Sequence, residues 1–144
     1  MDSVYVEPPL FSKITALLVD DDKILSDLVI RILSRTGCSI EYAKSGDEAI
    51  KKFSPNKYAF ILMDISMPGM DGHETTRKIR EMEAGSGTRV PIIALTAMCM
   101  SSDRNKALAS GMDDYVSKPF KKEELIMKVA KILGGKIAEN FNKT

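Results

Sequence analysis

The segment from Phe60 to Gly72, FILMDISMPGMDG, limits the possible folds of this chain more than any other part of it. Phe60 to Met63 are apolar without alternation, which is typical of a strand covered on both faces of a parallel sheet. Asp64 follows at once, a Pro-Gly pair interrupts regular structure, and Asp71 is placed to cap a helix. The pattern therefore predicts a buried strand with Asp64 at its carboxyl end, where open α/β sheets bind their ligands.

Five apolar runs of strand length alternate along the chain with segments of helical period. The predicted strands are 14–19, 38–43, 60–64, 91–95 and 115–117, and the predicted helices are 23–36, 45–53, 72–82, 101–110 and 123–133. Right-handed crossovers convert such a repeat into a single doubly wound, five-stranded parallel sheet with five helices, an α/β fold. Either common strand order puts the first and third strands beside each other or near the point where the winding reverses.

Polar residues follow four of these strands and would meet at the same edge of the sheet. Asp20 and Asp21 come after the first strand, Asp64 ends the third, Thr96 follows the fourth and Lys118 the fifth. Three carboxylates in one crevice repel one another unless they are protonated or bridged by a cation, and oxygen ligands favour Mg²⁺. Each residue alone has an ordinary explanation as a helix cap, a strand-end hydroxyl or a solvated lysine. Together they favour a site in which a carboxylate attacks phosphorus to form an aspartyl phosphate.

Four motifs then identify a family. They are Leu18–Asp21, Met63–Gly72, Ile93–Ala97 and Gly111–Phe120, and in this order they resemble the receiver domain of two-component (histidine–aspartate) signalling. The resemblance implies the flavodoxin-like strand order 2-1-3-4-5. It divides the chain into a flexible N-terminal arm (1–13), a receiver domain (14–133) and a polar C-terminal tail (134–144).

The resemblance also assigns a metal site. Asp64 would be the phosphoacceptor. Asp21 and Asp64 would bind Mg²⁺ (or Mn²⁺) directly, Asp20 would bind it through water, and Ser66 would contribute its backbone carbonyl. In the family, the lifetime of the phosphate depends partly on the residues at positions Ser66 and Met98.

Three further residues receive roles in the same way. Thr96 and Tyr115 correspond to the hydroxyl and the aromatic ring of the phosphorylation switch, and Lys118 to the lysine that contacts the phosphoryl group. The resemblance implies a cis peptide bond between Lys118 and Pro119.

The function implied is that of a phosphoacceptor in a two-component regulatory system or phosphorelay. It would take a phosphoryl group from a phosphohistidine onto Asp64, then change its surface or pass the phosphate to a histidine phosphotransfer partner. The amino-acid sequences of these motifs most resemble those in receivers of hybrid histidine kinases. The expected partners are therefore a histidine kinase and/or a histidine phosphotransfer domain. Apart from its own phosphotransfer and slow autodephosphorylation, the expected domain is not an enzyme.

Composition excludes several other classes. The 144 residues are 44% apolar and 28% charged with a net charge of +1, which gives no general attraction to nucleic acid or to a membrane surface. The first thirteen residues lack the apolar core of a secretory signal. Cys38 and Cys99 have no metal-binding spacing, and we interpret them as buried small residues. We expect a monomer that is cytoplasmic, or the cytoplasmic part of a membrane-bound hybrid kinase.

Three alternative classes fit the sequence less well. A haloacid-dehalogenase-type phosphatase would use the Asp20-Asp21-Asp22 run, but it would leave Asp64 without a role and requires its lysine before a final acidic pair. A flavodoxin-like binding module lacks the phosphate-binding loop after the first strand. The chain retains the complete set of acidic residues, threonine and lysine, which argues against a degenerate receiver that serves only as a docking surface. A DNA-binding output domain would not fit in this length.

His73, the single histidine, follows the acceptor loop, and we interpret it as a surface or half-buried helix residue without a phosphohistidine role. Met98 and Met100 are interpreted as packing or surface residues.

Overall fold

The computed structural model describes residues 11–97 and 101–134, and this part of the chain forms an alternating β/α fold. The strands are β1 (Thr15–Val19), β2 (Ser39–Ala43), β3 (Phe60–Asp64), β4 (Ile92–Thr96) and β5 (Asp114–Ser117), and the helices are α1 (Lys23–Ser34), α2 (Gly46–Lys52), α3 (Gly72–Glu83), α4 (Ser101–Ala109) and α5 (Lys122–Ile132). All strand pairs are parallel, in the order β2-β1-β3-β4-β5. The predicted fold class and the flavodoxin-like order are confirmed.

The sheet separates two apolar clusters because its side chains alternate between the two faces. Leu17, Ile61 and Ala94 point toward α2, α3 and α4, whereas Leu18 and Leu62 point toward α1 and α5. Every residue of β3 and β4 is buried, while the edge strands β2 and β5 are partly exposed. The unbroken apolar runs in the sequence therefore belong to the central strands.

Side chains cap the amino ends of three helices as their sequences predict. Asp22 accepts a hydrogen bond from the Leu25 N–H at 3.1 Å, and Asp71 accepts one from the Glu74 N–H at 2.9 Å. Ser45 caps α2 in the same way. The longest of the described helices have 12 residues, and none of the described helices is long and apolar enough to span a membrane.

The packed region begins earlier than the sequence indicates. Phe11 lies in the range 1–13 that we predicted as an arm, yet it is fully buried and its N–H donates to the Thr36 carbonyl at 2.7 Å. An isolated aromatic residue before the first strand gives no periodic signal, so the sequence could not indicate this packing. Residues 1–10 of the arm and residues 135–144 of the tail lie outside the described residues, as do Met98, Cys99 and Met100, so the predictions for them stay predictions. Cys38 is buried and free, as predicted.

A network of ion pairs and hydrogen bonds stabilises the amino ends of β4 and β5, at the edge of the sheet opposite the acidic strand ends. The Arg80 guanidinium on α3 donates to Glu83 at 2.7 Å and to Asp113 at 2.9 Å. It also donates to the backbone carbonyls of Val90 at 2.7 Å and Gly111 at 2.8 Å. Glu83 is buried, so these contacts compensate a charge that would otherwise be costly inside the protein. The network ties α3 to the start of β4 and to the segment before β5.

Candidate functional site

Three carboxylates meet where β1 and β3 end. The two strands pair in register, with Val19 opposite Met63, so the residues that follow them leave the sheet side by side. Oxygen atoms of Asp20, Asp21 and Asp64 all lie within 4.8 Å of one another. Asp20 and Asp64 are buried, and Asp21 is exposed at the mouth. The predicted acidic cluster therefore exists in the fold, open to solvent on one side.

Asp20 is held firmly by its backbone and by one carboxylate oxygen. Its N–H donates to the Ala43 carbonyl at 3.1 Å, and its carbonyl accepts from the Tyr42 hydroxyl at 2.7 Å. Oδ1 accepts from the Asp22 N–H at 2.8 Å. Within the described part of the chain, the buried Oδ2 has no hydrogen-bond partner, and Lys118 Nζ lies 3.8 Å away. A fixed carboxylate therefore presents one unsatisfied oxygen to the cluster.

Asp64 is almost as completely buried as Asp20, and its charge is disfavoured. Only 3% of the residue is exposed, and Oδ1 is 3.3 Å from both the Ser66 N–H nitrogen and Lys118 Nζ. Burial, and then the neighbouring charge of Asp20, raises the pKa of Asp64 to about 7, although Lys118 opposes this shift. Near neutral pH the cluster is therefore stabilised by binding either a proton or a cation.

The start of α3 packs directly against the backbone of Asp64, which requires a glycine. The Gly72 N–H donates to the Ile65 carbonyl at 2.9 Å. A Cβ at position 72 would collide with the carbonyl oxygen of Asp64 and with the Cα of Ile65. Gly72 therefore allows the helix to support the strand end that carries Asp64.

A hard divalent cation fits this group of residues. The donors are all carboxylate oxygens, they are close enough to share one ion, and the Oδ2 of Asp20 lacks another partner among the described residues. The three negative charges of the cluster would balance a divalent cation together with Lys118. Ser66, the remaining predicted ligand, lies in the loop directly after Asp64 and contacts it through its N–H.

Thr96 and Lys118 reach the site from the next two strands. Thr96 ends β4 and is buried, and its carbonyl accepts from the Lys118 N–H at 2.7 Å. The Lys118–Pro119 bond is cis, as the family resemblance implies. Lys118 Nζ lies within reach of Asp64 and Asp20, so the structure brings these predicted residues together.

Tyr115 lies further out, on β5. It pairs with Ala94 of β4 and is partly buried against the cluster of apolar residues beneath α3 and α4. Two cations lie near its ring: Arg104 Cζ is 5.5 Å and Lys128 Nζ 5.4 Å from the ring centroid. Tyr115 therefore connects the strand to both flanking helices.

His73 is buried, so the prediction of a surface or half-buried residue is wrong. Its Nδ1 lies 3.1 Å from the Ser110 hydroxyl, whose own proton is donated to the Ala107 carbonyl. Nδ1 must therefore carry a proton and donate it to Ser110. Burial lowers the pKa of His73, which favours the neutral ring. A histidine two residues past a helix cap gives no sequence signal for a partner 37 residues away.

A pocket of about 290 Å³ lies between the loop after Asp64 and helix α4. It is lined by Ser66, Thr96 and His73 together with Asp103 and Lys106 of α4. Movement of Thr96 would therefore change a space that α4 also borders.

Comparison with known proteins matches residues 16–130 to the family described as the response regulator receiver domain. The chain is 37% identical over 134 residues to "Probable histidine kinase 2" of Oryza sativa subsp. indica, an alignment that covers 83% of this chain and 13% of that protein. It is 42% identical over 109 residues to "Hybrid signal transduction histidine kinase I" of Dictyostelium discoideum, covering 72% of this chain and 6% of that protein. The chain thus spans a small fraction of the length of these relatives.

Solved structures agree with the sequence relatives. The receiver domain of sensor histidine kinase PA1611 from Pseudomonas aeruginosa PAO1 matches with a TM-score of 0.76 and 37% identity. The match covers 85% of this chain and 98% of that domain, which was crystallised with a magnesium ion coordinated in its active-site cleft.

Proposed function

The chain belongs to the response regulator receiver family, as a receiver domain of two-component and phosphorelay signalling, and we propose that Asp64 is its phosphoacceptor. The observation that carries this proposal is the position of Asp64: it is buried at the carboxyl end of a central strand, beside two further carboxylates and within 3.3 Å of Lys118.

The phosphoryl group would come from a phosphohistidine. A carboxylate oxygen of Asp64 attacks phosphorus, the phosphorus–nitrogen bond breaks, and its electron pair returns to the imidazole, which gains a proton. Lys118 neutralises charge on the acceptor and on the incoming group, because its ammonium lies 3.3 Å from Asp64 and 3.8 Å from Asp20. Such transfer requires mainly positioning and charge neutralisation, and the buried strand ends supply both.

Mg²⁺ (or Mn²⁺) would be held directly by Asp21 and Asp64, by Asp20 through water and by the Ser66 carbonyl. The support is the all-oxygen donor set and the unsatisfied Oδ2 of Asp20. When bound, the ion supplies positive charge that favours ionised carboxylates and attracts phosphoryl oxygens. Asp64, whose pKa is raised to about 7 without the ion, would then be ionised and nucleophilic at neutral pH.

Phosphorylation would be transmitted through Thr96 and Tyr115. A phosphoryl group on Asp64 adds negative charge and strong acceptor oxygens, toward which the Thr96 hydroxyl can move from the end of the adjacent strand. Tyr115, one strand further, would then turn inward and alter the surface formed by α4, β5 and α5. The differential contact between the two states is the hydrogen bond from Thr96 to the phosphoryl group.

The proposed donors and acceptors are histidine kinases and histidine phosphotransfer domains, because the relatives that match are named as histidine kinases and hybrid histidine kinases. The domain would act as a monomer in the cytoplasm, or as the cytoplasmic part of a hybrid kinase. It would catalyse only its own phosphotransfer and slow autodephosphorylation, without a nucleic-acid partner or membrane contact.

Labelling with a phosphohistidine donor tests the acceptor. The parent protein should gain an acid-stable, base- and hydroxylamine-labile phosphate, and Asp64→Asn should lose it. Asp71→Asn is the matched control, since it removes a carboxylate from the same loop while asparagine still caps α3. Label that survives Asp64→Asn but disappears in Asp20→Asn would contradict the proposal and favour a phosphatase-type nucleophile.

The metal dependence has its own test. Labelling should slow strongly in excess chelator and recover on addition of Mg²⁺ or Mn²⁺, and Asp21→Ala should weaken the recovery. Equal labelling rates with and without chelator would refute the proposed metal site.

A further inference from the structure

The ring of Tyr115 is contacted by one cation from each neighbouring helix. Arg104 Cζ on α4 lies 5.5 Å from the ring centroid, and Lys128 Nζ on α5 lies 5.4 Å from it. Both distances fall within the roughly 6 Å over which an aromatic ring attracts a cation. The ring therefore links α4 to α5 in this conformation.

Lys128 is fixed in this position by a second contact. Its ammonium donates to Asp114 Oδ1 at 2.9 Å, and Asp114 directly precedes Tyr115 on β5. Asp114 and Lys128 are both partly buried, so this pair is better ordered than a fully exposed one. The carboxylate holds the ammonium near the ring, and a movement of the ring would leave the ammonium behind.

Arg104 contributes to the attachment of a helix that has few other anchors. Among its nine residues, α4 buries only Ala107, whereas α3 buries six of twelve. The contact between Arg104 and the ring is therefore one of a small number that relate α4 to β5. Helices with few buried apolar residues are the elements that shift most easily.

We propose that Arg104 and Lys128 are positioning residues of the switch, which hold Tyr115 in its partly exposed position and oppose its inward movement. This inference rests on the proposed function, in which Tyr115 moves toward Thr96 after phosphorylation of Asp64. The two cations stabilise the unphosphorylated arrangement. Because the inward movement of Tyr115 breaks their contacts with the ring, part of the binding free energy of a phosphoryl group is consumed in breaking them. By linkage, removal of either cation strengthens the binding of a phosphoryl mimic.

The expected change in affinity for a phosphoryl mimic follows from the strength of a cation–π contact. An exposed cation over an aromatic ring corresponds to a factor of about two to five in an equilibrium constant. Arg104→Met and Lys128→Met should each tighten the binding of beryllium fluoride with Mg²⁺ by about that factor, measured by titration calorimetry. The NMR signals of the Tyr115 ring should shift toward their bound-state values even before the mimic is added.

The sign of the effect separates this mechanism from general electrostatics. Loss of a positive charge would by itself weaken the binding of an anion, so tighter binding cannot come from the net charge. Arg104→Lys keeps a cation and should restore parental affinity, while methionine and lysine have helix propensities close to that of arginine. Lys131→Met removes an exposed cation of α5 that does not touch the ring and should not tighten binding.

A double-mutant cycle isolates the contact itself. In a Tyr115→Leu background the ring is absent, so Arg104→Met should no longer change the affinity. A parent protein that binds no beryllium fluoride, or binds it without a shift at Tyr115, would overturn the proposed function. A parent that behaves as proposed, together with Met variants whose affinity is unchanged or weaker, would overturn the role of Arg104 and Lys128 alone.

Discussion

Replacement of Asp64 by asparagine should stabilise the metal-free protein, and the gain should depend on pH. The folded protein raises the pKa of Asp64 from its ordinary 3.8 to about 7, mainly through burial and then through Asp20. The folded state therefore binds this proton more tightly than the unfolded chain. As a result, the free energy of unfolding of the parent decreases as the pH rises from about 4 to about 7. Asparagine does not ionise, so Asp64→Asn lacks this contribution.

The magnitude follows from the two pKa values. Each pH unit between them changes the free energy of unfolding by about 1.4 kcal/mol, so the advantage of Asp64→Asn should grow by about 3 kcal/mol between pH 5 and pH 8. Below pH 4, where both side chains are neutral, the two proteins should have similar stability.

Urea unfolding at pH 5, 6 and 8 in the presence of chelator measures this difference directly. Asp71→Asn provides the control, since it removes a carboxylate of the same loop outside the acidic cluster while asparagine can still cap α3. Added Mg²⁺ should stabilise the parent at pH 8 and reduce the advantage of Asp64→Asn. A stability difference between Asp64→Asn and the parent that stays constant from pH 5 to pH 8 would refute the reasoning.

Three further outcomes are expected. Arg80→Met should lower the free energy of unfolding by about 3–5 kcal/mol, because it leaves the buried carboxylate of Glu83 uncompensated. Arg89→Met, which removes a mostly exposed ion pair, should lower it by at most about 1 kcal/mol. Equal losses in urea titrations would contradict this difference. Phe11→Ala should cost about 3–5 kcal/mol if that ring belongs to the core, and thermal unfolding unchanged from the parent would count against it. Thr96→Ala should still accept phosphate yet lose most of the NMR shift at Tyr115; a parental shift would exclude Thr96 as the coupling residue.

The functional edge of the sheet could be predicted from the sequence because its signals are local. Phe60 to Met63 form an apolar run that is typical of a doubly covered strand, and Asp64 ends it. In a parallel sheet all carboxyl ends lie at one edge, so Asp20, Thr96 and Lys118 could be placed near Asp64 without knowledge of any contact. Helix caps could be predicted for the same reason, because a capping residue and the N–H group it accepts from lie within a few residues of each other.

The contacts missed by the sequence analysis join residues that are far apart along the chain. Arg80 bonds to Asp113, 33 residues later, and His73 bonds to Ser110, 37 residues later. Both histidine and arginine are common on helix surfaces, so neither pattern nor composition distinguishes the buried examples. The two cations over Tyr115 were missed for the same reason, since their meeting depends on how α4 and α5 pack beside β5.

The most direct test of the account is the chemical location of the phosphoryl group. The protein would be phosphorylated by a phosphohistidine donor with Mg²⁺, and the acyl phosphate would be reduced with borohydride, which converts a phosphorylated aspartate to homoserine. Mass spectrometry of the digested protein should then find a single homoserine, at position 64. Homoserine at position 20 or 21, or a phosphate that resists borohydride and maps to His73, would contradict the assignment of Asp64 as the acceptor.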